Sequence, residues 1–512
     1  MQAKILWADD EIDLLKPHVL FLNQKGYEVE TVKSGNEAIE KCESNRYDIV
    51  FLDENMPGIS GLDALGRIKE LHPQMPIVMI TKSEEESIME EAIGGKIADY
   101  LIKPVNPNQI LLSLKKNLDQ GKLVSVKVNT NYQREFRQIG MELNDHLSAE
   151  EWASMYKRLM GWDIEFSKLE DKGMLEVFDM QMKEANTSFV KFIEEYYLDW
   201  INGVEEGPQM LHTLFKNRIA PALKKEQVYL IVVDNLRYDQ YLVLRSALSK
   251  YFNFESEDIV YSILPTATQY ARNAFFAGLL PTEIQKKYPE YWVGENEEGG
   301  KNNFEKELLQ KQLERLGLDV RTTYRKILDL DQGKKLVENI HQLKNNDLNV
   351  IVYNFVDMLS HARTDMKMIR ELADDEAAYR SLTASWFEHS PLNEILKEIA
   401  ATKAKVILTT DHGTVKVNKP VKVVGLKETN TNLRYKVGKN LNYKSKEVFE
   451  IKHPEEAYLP KENISDLYVF CKNNDFFVYP NNMNYYVKYY SDTFQHGGIS
   501  MEEILIPYVE MR

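Results

Sequence analysis

Cysteine is nearly absent: 512 residues hold only Cys42 and Cys471, in distant segments and without metal or redox spacing. That excludes a disulfide-framed secreted scaffold and a cysteine-ligated metal module, and predicts two reduced core thiols in a cytoplasmic protein. Long apolar runs are missing as well. None approaches the roughly 18 residues of a membrane helix. Asp9 and Asp10 stand where a leader would need its apolar stretch, so neither membrane insertion nor export is expected. Positive charge is in deficit: a net charge of −15 argues against non-specific nucleic-acid binding by the whole surface. What is present, 43% hydrophobic and 11% aromatic residues, excludes general disorder. The length calls for roughly two to four domains.

Residues 1–120 alternate apolar strands with amphipathic segments. Lys4–Ala8 ends on Asp9, Asp10 and Glu11; Asp48–Leu52 ends on Asp53; Pro76–Ile80 ends on Thr81; Asp99–Ile102 ends on Lys103-Pro104. Four strands of a parallel sheet would place carboxylates, a hydroxyl and a lysine on one edge. Clustered carboxylates repel unless a divalent cation neutralises them, and oxygen ligands suit Mg²⁺. With a lysine to hold a phosphoryl oxygen, this is equipment for aspartyl phosphorylation. The motifs A-D-D-E, F-L-D-E-N-M-P-G, M-I-T-K and Y-L-I-K-P resemble, in order and spacing, a flavodoxin-like response-regulator receiver. The resemblance implies Asp53 as phosphoacceptor, with Asp10, Asp53 and the Asn55 carbonyl as Mg²⁺ ligands aided by Asp9. It also implies Thr81 and Tyr100 as the switch pair, Lys103 as the phosphoryl contact before a cis Pro104, and a sensor histidine kinase as donor.

Over residues 121–215 the βα rhythm stops. Ser148-Ala-Glu-Glu151 is a capping-box pattern. Trp152, Met155, Tyr156 and Leu159, then Phe189, Phe192, Ile193, Tyr196, Tyr197 and Trp200, recur at helical spacing. A helical-bundle connector of about three helices is expected, its aromatic stripe packing as core. The block lacks the Gly-turned, basic helix pair of a helix-turn-helix DNA reader.

Residues 216–512 read as a large α/β domain. Val228–Val233 is a continuous apolar strand ending on Asp234. Val260–Leu264 leads into Pro265-Thr-Ala-Thr268 and a helix start, where a hydroxyl meets free N–H groups. Leu348–Phe355 precedes Asp357 and His361, one helical turn apart. Val406–Thr410 ends on Asp411-His412-Gly413, and His496-Gly-Gly lies near the C-terminus. Three Asp, three His and one Thr divide into two metal sites, Asp357/His361/His496 and Asp234/Thr268/Asp411/His412. Mixed imidazole and carboxylate donors suit two Zn²⁺, with Mn²⁺ as runner-up. Two metals about 4 Å apart would clamp a phosphoryl centre and activate Thr268, a weak nucleophile on its own.

This constellation resembles the alkaline phosphatase superfamily, and within it the PglZ type, over roughly 220–512. P-T-x-T before G-L-x-P, D-x-x-x-H, T-T-D-H-G and H-G-G-x-S-x-E-E carry the likeness. The resemblance implies Thr268 as nucleophile, with Thr266 as the alternative. Ser360 stands where phosphodiesterase relatives carry glycine. Their oxyanion-supporting asparagine has no convincing counterpart, leaving Asn235, Arg237, Arg272 and Asn273 as candidates. Thr414–Lys446 holds nine Lys or Arg against one acid, Glu428. Its alternating patterns suggest strands or a hairpin, and Arg434, Lys436 and Lys439 are candidates for a polyanion track beside the metals. Asn296–Asn303, with two glycines, reads as a mobile loop.

The order receiver (1–120), connector (121–215) and PglZ-type domain (216–512) resembles the PorX family of response regulators. That resemblance implies a cytoplasmic zinc phosphodiesterase acting on cyclic or linear oligonucleotide-like substrates. Asp53 phosphorylation would control it through homodimer formation, and the output would be type IX secretion. Two other readings stand beside it: a zinc-structured regulator contacting a sigma factor or secretion-system component, and a phosphomonoesterase. A sulfatase is disfavoured because position 268 is threonine.

Overall fold

The computed structural model describes residues 3–82, 97–105, 107–168, 172–373, 375–425 and 429–512; Lys427 and Glu428 of the basic segment lie outside the described residues. The chain divides into two compact units, Met1–Arg134 and Glu135–Arg512.

In the first unit, β1 (Lys4–Ala8), β2 (Glu28–Val32), β3 (Ile49–Asp53), β4 (Ile77–Thr81) and β5 (Asp99–Ile102) form one parallel sheet in the order β2-β1-β3-β4-β5. β3 and β4 are buried throughout, which explains their unbroken apolar runs. β2 is an edge strand reading E-V-E-T-V, and its alternation escapes a search for apolar runs. Ser34 and Ser60 cap the helices Gly35–Ser44 and Gly61–Leu71 by accepting from the Glu37 and Asp63 amides. The helix Pro107–Glu142 runs 36 residues. The boundary expected at 120 therefore falls inside a helix, because loss of the βα rhythm marks the last strand rather than the end of the long helix after it.

The second unit opens with the helices Ala149–Ser167 and Lys172–Ile201. The Ser148/Glu151 capping box is formed, with both reciprocal hydrogen bonds. The aromatic stripe packs as core: Trp152 and Phe189 meet edge-on at 5.4 Å, and Phe189 lies 6.3 Å from Tyr261. Tyr197 is buried, and its hydroxyl accepts from the Leu264 amide at 2.8 Å, four residues ahead of Thr268.

The main sheet of this unit has six strands. β6 (Val228–Val233), β7 (Phe254–Tyr261), β8 (Thr322–Ile327), β9 (Leu348–Tyr353), β10 (Lys405–Thr409) and a C-terminal strand (Leu505–Met511) run in the order β7, C-terminal strand, β10, β6, β9, β8. β10, β6, β9 and β8 are mutually parallel, and the C-terminal strand is antiparallel to both of its neighbours. The strand expected at 260–264 is corrected to 254–261. It lies at the sheet edge, where Glu255 and Asp258 interrupt the apolar signal. Of the strands or hairpin expected after His412, strands form, and they pair with later segments rather than with each other. Val415–Lys416 pairs with Phe494–Gln495, and Lys419–Lys422 pairs in parallel with Asp475–Val478.

Candidate active site

Three adjacent central strands, β10, β6 and β9, end on the same edge of the sheet, and each is followed by site residues. The turn after β6 is bolted to the turn after β10. Asn235, in the left-handed region at φ 64°, donates its amide to Asp411 Oδ1 (3.3 Å), and the Leu236 amide donates to Thr410 Oγ1 (3.1 Å). Gly413 has no room for a side chain, since a Cβ there would strike the Glu502 carbonyl.

Two donor clusters result. Asp357, His361 and His496 bring ligand atoms within 4.8 Å of one another, and so do Asp234, Asp411 and His412. The division expected from the sequence is the one the fold assembles. The His412 and His496 rings, one from each cluster, stack with centroids 4.3 Å apart. Thr268 opens the helix Thr268–Ala277 and sets Oγ1 3.1 Å from His412 Nε2. Thr266 is not available as the alternative: its hydroxyl donates to the Gly498 carbonyl and accepts from the Gly497 amide.

Backbone carbonyls fix the imidazole tautomers. His412 Nδ1 lies 3.0 Å from the Gly413 carbonyl and His496 Nδ1 3.1 Å from the Thr266 carbonyl. A carbonyl only accepts, so each Nδ1 carries a proton, and Nε2 is the nitrogen turned toward the clusters. Burial, with the His412 and His361 rings nearby, holds His496 well below the usual imidazole range, so it stands neutral. Burial pushes the Asp234 carboxyl well above the usual carboxylate range against the pull of Arg272. For Asp411 burial also acts upward, but His412 and Arg272 outweigh it and hold that carboxyl low.

The residues fit a pair of divalent ions. Asp234 Oδ1 and Asp411 Oδ2 are buried with no hydrogen-bond partner, an expensive state unless a cation takes the lone pairs. Ligands each about 2.0 Å from a tetrahedral zinc stand about 3.3 Å apart, close to the Thr268–His412 spacing.

Of the residues considered for oxyanion support, Asn235 and Arg272 belong to the site. Asn235 Nδ2 lies 3.4 Å from Asp357 Oδ1 and 3.3 Å from Ser360 Oγ. Arg272 Nη1 stands 2.7 Å from Asp234 Oδ2 and 3.8 Å from Asp411 Oδ2, while its Nε donates to Glu305. Arg237 is corrected: it is buried between Asp239 and Glu376, away from both clusters. Asn273 is engaged with the Lys301 carbonyl. The polyanion track is corrected at two of its three positions. Arg434 is fully buried against Glu503 and the Asp475 carbonyl, and Lys436 is buried with Nζ donating to the Asn430 carbonyl. Lys439 lines a cavity.

Two residues carry no signal in the sequence and belong to the site all the same. Asn302 donates to the Thr268 carbonyl at 2.8 Å, so the segment expected to be a mobile loop packs directly behind the nucleophile candidate. Glu305, buried, ties Arg272 to Lys326. Neither carries a motif: Asn302 lies in an irregular Gly-Asn segment, and Glu305 opens the helix Glu305–Arg315 as an ordinary first-turn acid.

In the receiver unit, Asp9, Asp10 and Asp53 gather at the strand ends. Lys103 Nζ lies 2.9 Å from both Asp9 and Asp53, and the Lys103–Pro104 bond is cis. Burial pushes the Asp53 carboxyl up while Lys103 pulls it back, and its Oδ1 has no hydrogen-bond partner. Thr81 is buried at the end of β4; Tyr100 is half-buried on β5 and Asn55 is exposed beyond β3.

Comparison with known proteins agrees with this layout. Residues 5–115 match the response regulator receiver domain family, 122–201 the PorX response regulator linker domain, and 214–511 the BREX system PglZ alkaline phosphatase-like domain. The chain is similar to the transcriptional regulatory protein SrrA of Staphylococcus aureus (strain NCTC 8325 / PS 47), 28% identical over 149 residues. That covers 28% of this chain and 61% of SrrA, so the likeness spans less than two thirds of that relative. Among solved structures it is similar to a CheY-like receiver domain protein from Methanospirillum hungatei JF-1 (28% identity, 23% of this chain and 96% of that one, TM-score 0.23). It is also similar to the chemotaxis protein CheY4 of Vibrio cholerae (31% identity, 23% and 100%, TM-score 0.22). With its PglZ alkaline phosphatase-like domain joined to a receiver and a PorX linker, the chain belongs to the PorX family of response regulators.

Proposed function

We propose that the protein is a two-zinc phosphodiesterase whose activity is controlled by phosphorylation of Asp53. One observation carries the reading: two three-residue donor clusters lie side by side, with the Thr268 hydroxyl 3.1 Å from a ligand atom of one of them. When bound, the two Zn²⁺ would lower the hydroxyl's pKa and steady the departing oxygen. Thr268 Oγ1 then adds to phosphorus as the alcohol oxygen leaves, and a water later frees the phosphate from Thr268. The N-terminus of the Thr268–Ala277 helix favours the negative charge that develops there. Asn235 is the residue best placed to donate to a non-bridging oxygen, since its Nδ2 already faces the Asp357 cluster.

In this proposal a histidine kinase phosphorylates Asp53, Mg²⁺ sits among Asp9, Asp10 and Asp53, and the phosphorylated chain dimerises. Oligonucleotide-like esters are the substrates and type IX secretion, controlled from the cytoplasm, is the output. Metal analysis of the full chain tests the core of this, joined to parallel assays on bis(p-nitrophenyl) phosphate and p-nitrophenyl phosphate. Two zinc equivalents with diester turnover are expected; metal-free protein, or turnover confined to the monoester, overturns it.

A second reading has its own observation. Arg272 already places a cation 2.7 Å from Asp234 and 3.8 Å from Asp411. A chain in which Arg272 permanently neutralises that cluster would bind a single zinc at Asp357/His361/His496 and act as a regulator by contact alone. One equivalent of zinc with no turnover of either ester would favour it.

A further inference from the structure

A cavity of about 360 Å³ opens beside the nucleophile, lined by Gln269 and Tyr270, the two residues that follow Thr268. A packing contact also ties its wall to the neighbourhood of the metal clusters. Tyr435 packs against Gly497, next to His496, and its hydroxyl donates to Glu295 on the cavity wall at 2.6 Å. The cavity is therefore placed to hold whatever is attached to a phosphorus at Thr268, a reading that rests on the proposed esterase activity.

Its chemistry is unlike that of a phosphate site. Three carboxylates, Glu295, Glu462 and Asp466, face one cation, Lys439. An ionised carboxylate accepts hydrogen bonds at about four positions and donates none. Glu295 takes the Tyr270 and Tyr435 hydroxyls on Oε1, and Glu462 takes the Asn296 amide, which leaves acceptor positions over on both. Two more amides, Gln285 and Asn463, line the wall, and Gln285 makes no side-chain hydrogen bond among the described residues. Tyr270, Trp292 and Tyr468 supply apolar ring surface between these polar groups. Surplus acceptors on an aromatic wall, with net negative charge, suit an uncharged ring bearing several O–H or N–H donors and repel an anion.

We infer that this cavity is the site for the organic group of the ester, an uncharged donor-rich ring such as a nucleoside or a hexose, and that it excludes a second phosphate. The substrate's further phosphates would then lie outside the cavity.

Equilibrium dialysis of the zinc-loaded full chain against labelled adenosine, glucose and inorganic phosphate tests this. One of the two rings is expected to bind saturably, and to bind at least tenfold more weakly in both Gln285→Ala and Glu462→Gln; the latter removes only a charge and keeps an acceptor for Asn296. Circular dichroism on both variants guards against misfolding. Ring binding that is absent, or unchanged in both folded variants, overturns the assignment, as does phosphate binding that is lost in those variants. Bis(p-nitrophenyl) phosphate turnover run in parallel separates the two readings. Ring binding without turnover sinks the esterase and keeps the cavity, whereas turnover without ring binding does the reverse.

Discussion

Thr268 Oγ1 and His412 Nε2 lie 3.1 Å apart across 144 residues of sequence. The contact is made because one begins a helix and the other ends a strand on the same sheet edge. Thr268→Val keeps the side chain's shape and removes the oxygen. Diester turnover should fall about a thousandfold or more, while zinc content and Tm stay near wild type. Steady-state kinetics beside metal analysis check this, and a variant that keeps a tenth of the activity would show that another group attacks.

Metal removal should cost stability as well as activity. Without a metal ion, Arg272 alone faces the buried Asp234 and Asp411 carboxylates, and any ion bound only to the folded state stabilises it by mass action. Chelation should lower Tm in a zinc-reversible way. His496→Ala should lose one metal equivalent and leave the Asp234/Asp411/His412 site filled; loss of both would mean that the clusters are not separate.

Asp53→Asn should abolish acid-labile phosphate incorporation from a small phosphoryl donor, since the proposed acceptor is the carboxylate beside Lys103. Sedimentation with and without donor then reads assembly. Wild type is expected to gain mass and the variant to stay put. An identical mass in every condition would remove dimerisation from the proposal.

Glu502 gives stability a pH dependence. Burial raises its carboxyl from 4.5 to about 7. A carboxyl raised in the folded state favours folding most at low pH. That bias is complete below about 4.5 and has gone once pH passes about 7. Glu502→Gln should therefore be the more stable protein at pH 8, by roughly 3 kcal/mol, and match wild type near pH 4. Thermal melts across that range decide it.

Arg434 and Glu503 form a fully buried pair at 2.5 Å, and Glu503 also accepts from the Gly498 amide, two residues beyond His496. Arg434→Met leaves an uncompensated carboxylate in the interior and should cost about 3–5 kcal/mol in urea unfolding. A loss below about 1 kcal/mol would mean that water or a rearranged cation takes the arginine's place.

The parts legible in the sequence share a cause. Asp234, Asp411 and His412 follow strands buried on both faces, whose apolar runs are conspicuous, and each site residue stands just past the run's end. The strands 28–32 and 254–261 escape or shift in a sequence reading because edge strands carry charge. Arg434 and Lys436 read as surface because burial of a cation depends on a partner that sequence does not reveal: Glu503 for one, the Asn430 carbonyl within a folded turn for the other. Asn302 and Glu305 are invisible for the same reason, as their meaning lies in Thr268 and Arg272.

The strand Leu505–Met511 sits between β7 and β10, so the ribosome delivers last, among these six strands, the one that joins an early-made edge to the centre. His496 emerges only nine residues before it. A nascent or prematurely stopped chain thus lacks one residue of the Asp357/His361/His496 cluster and the seam of its sheet together.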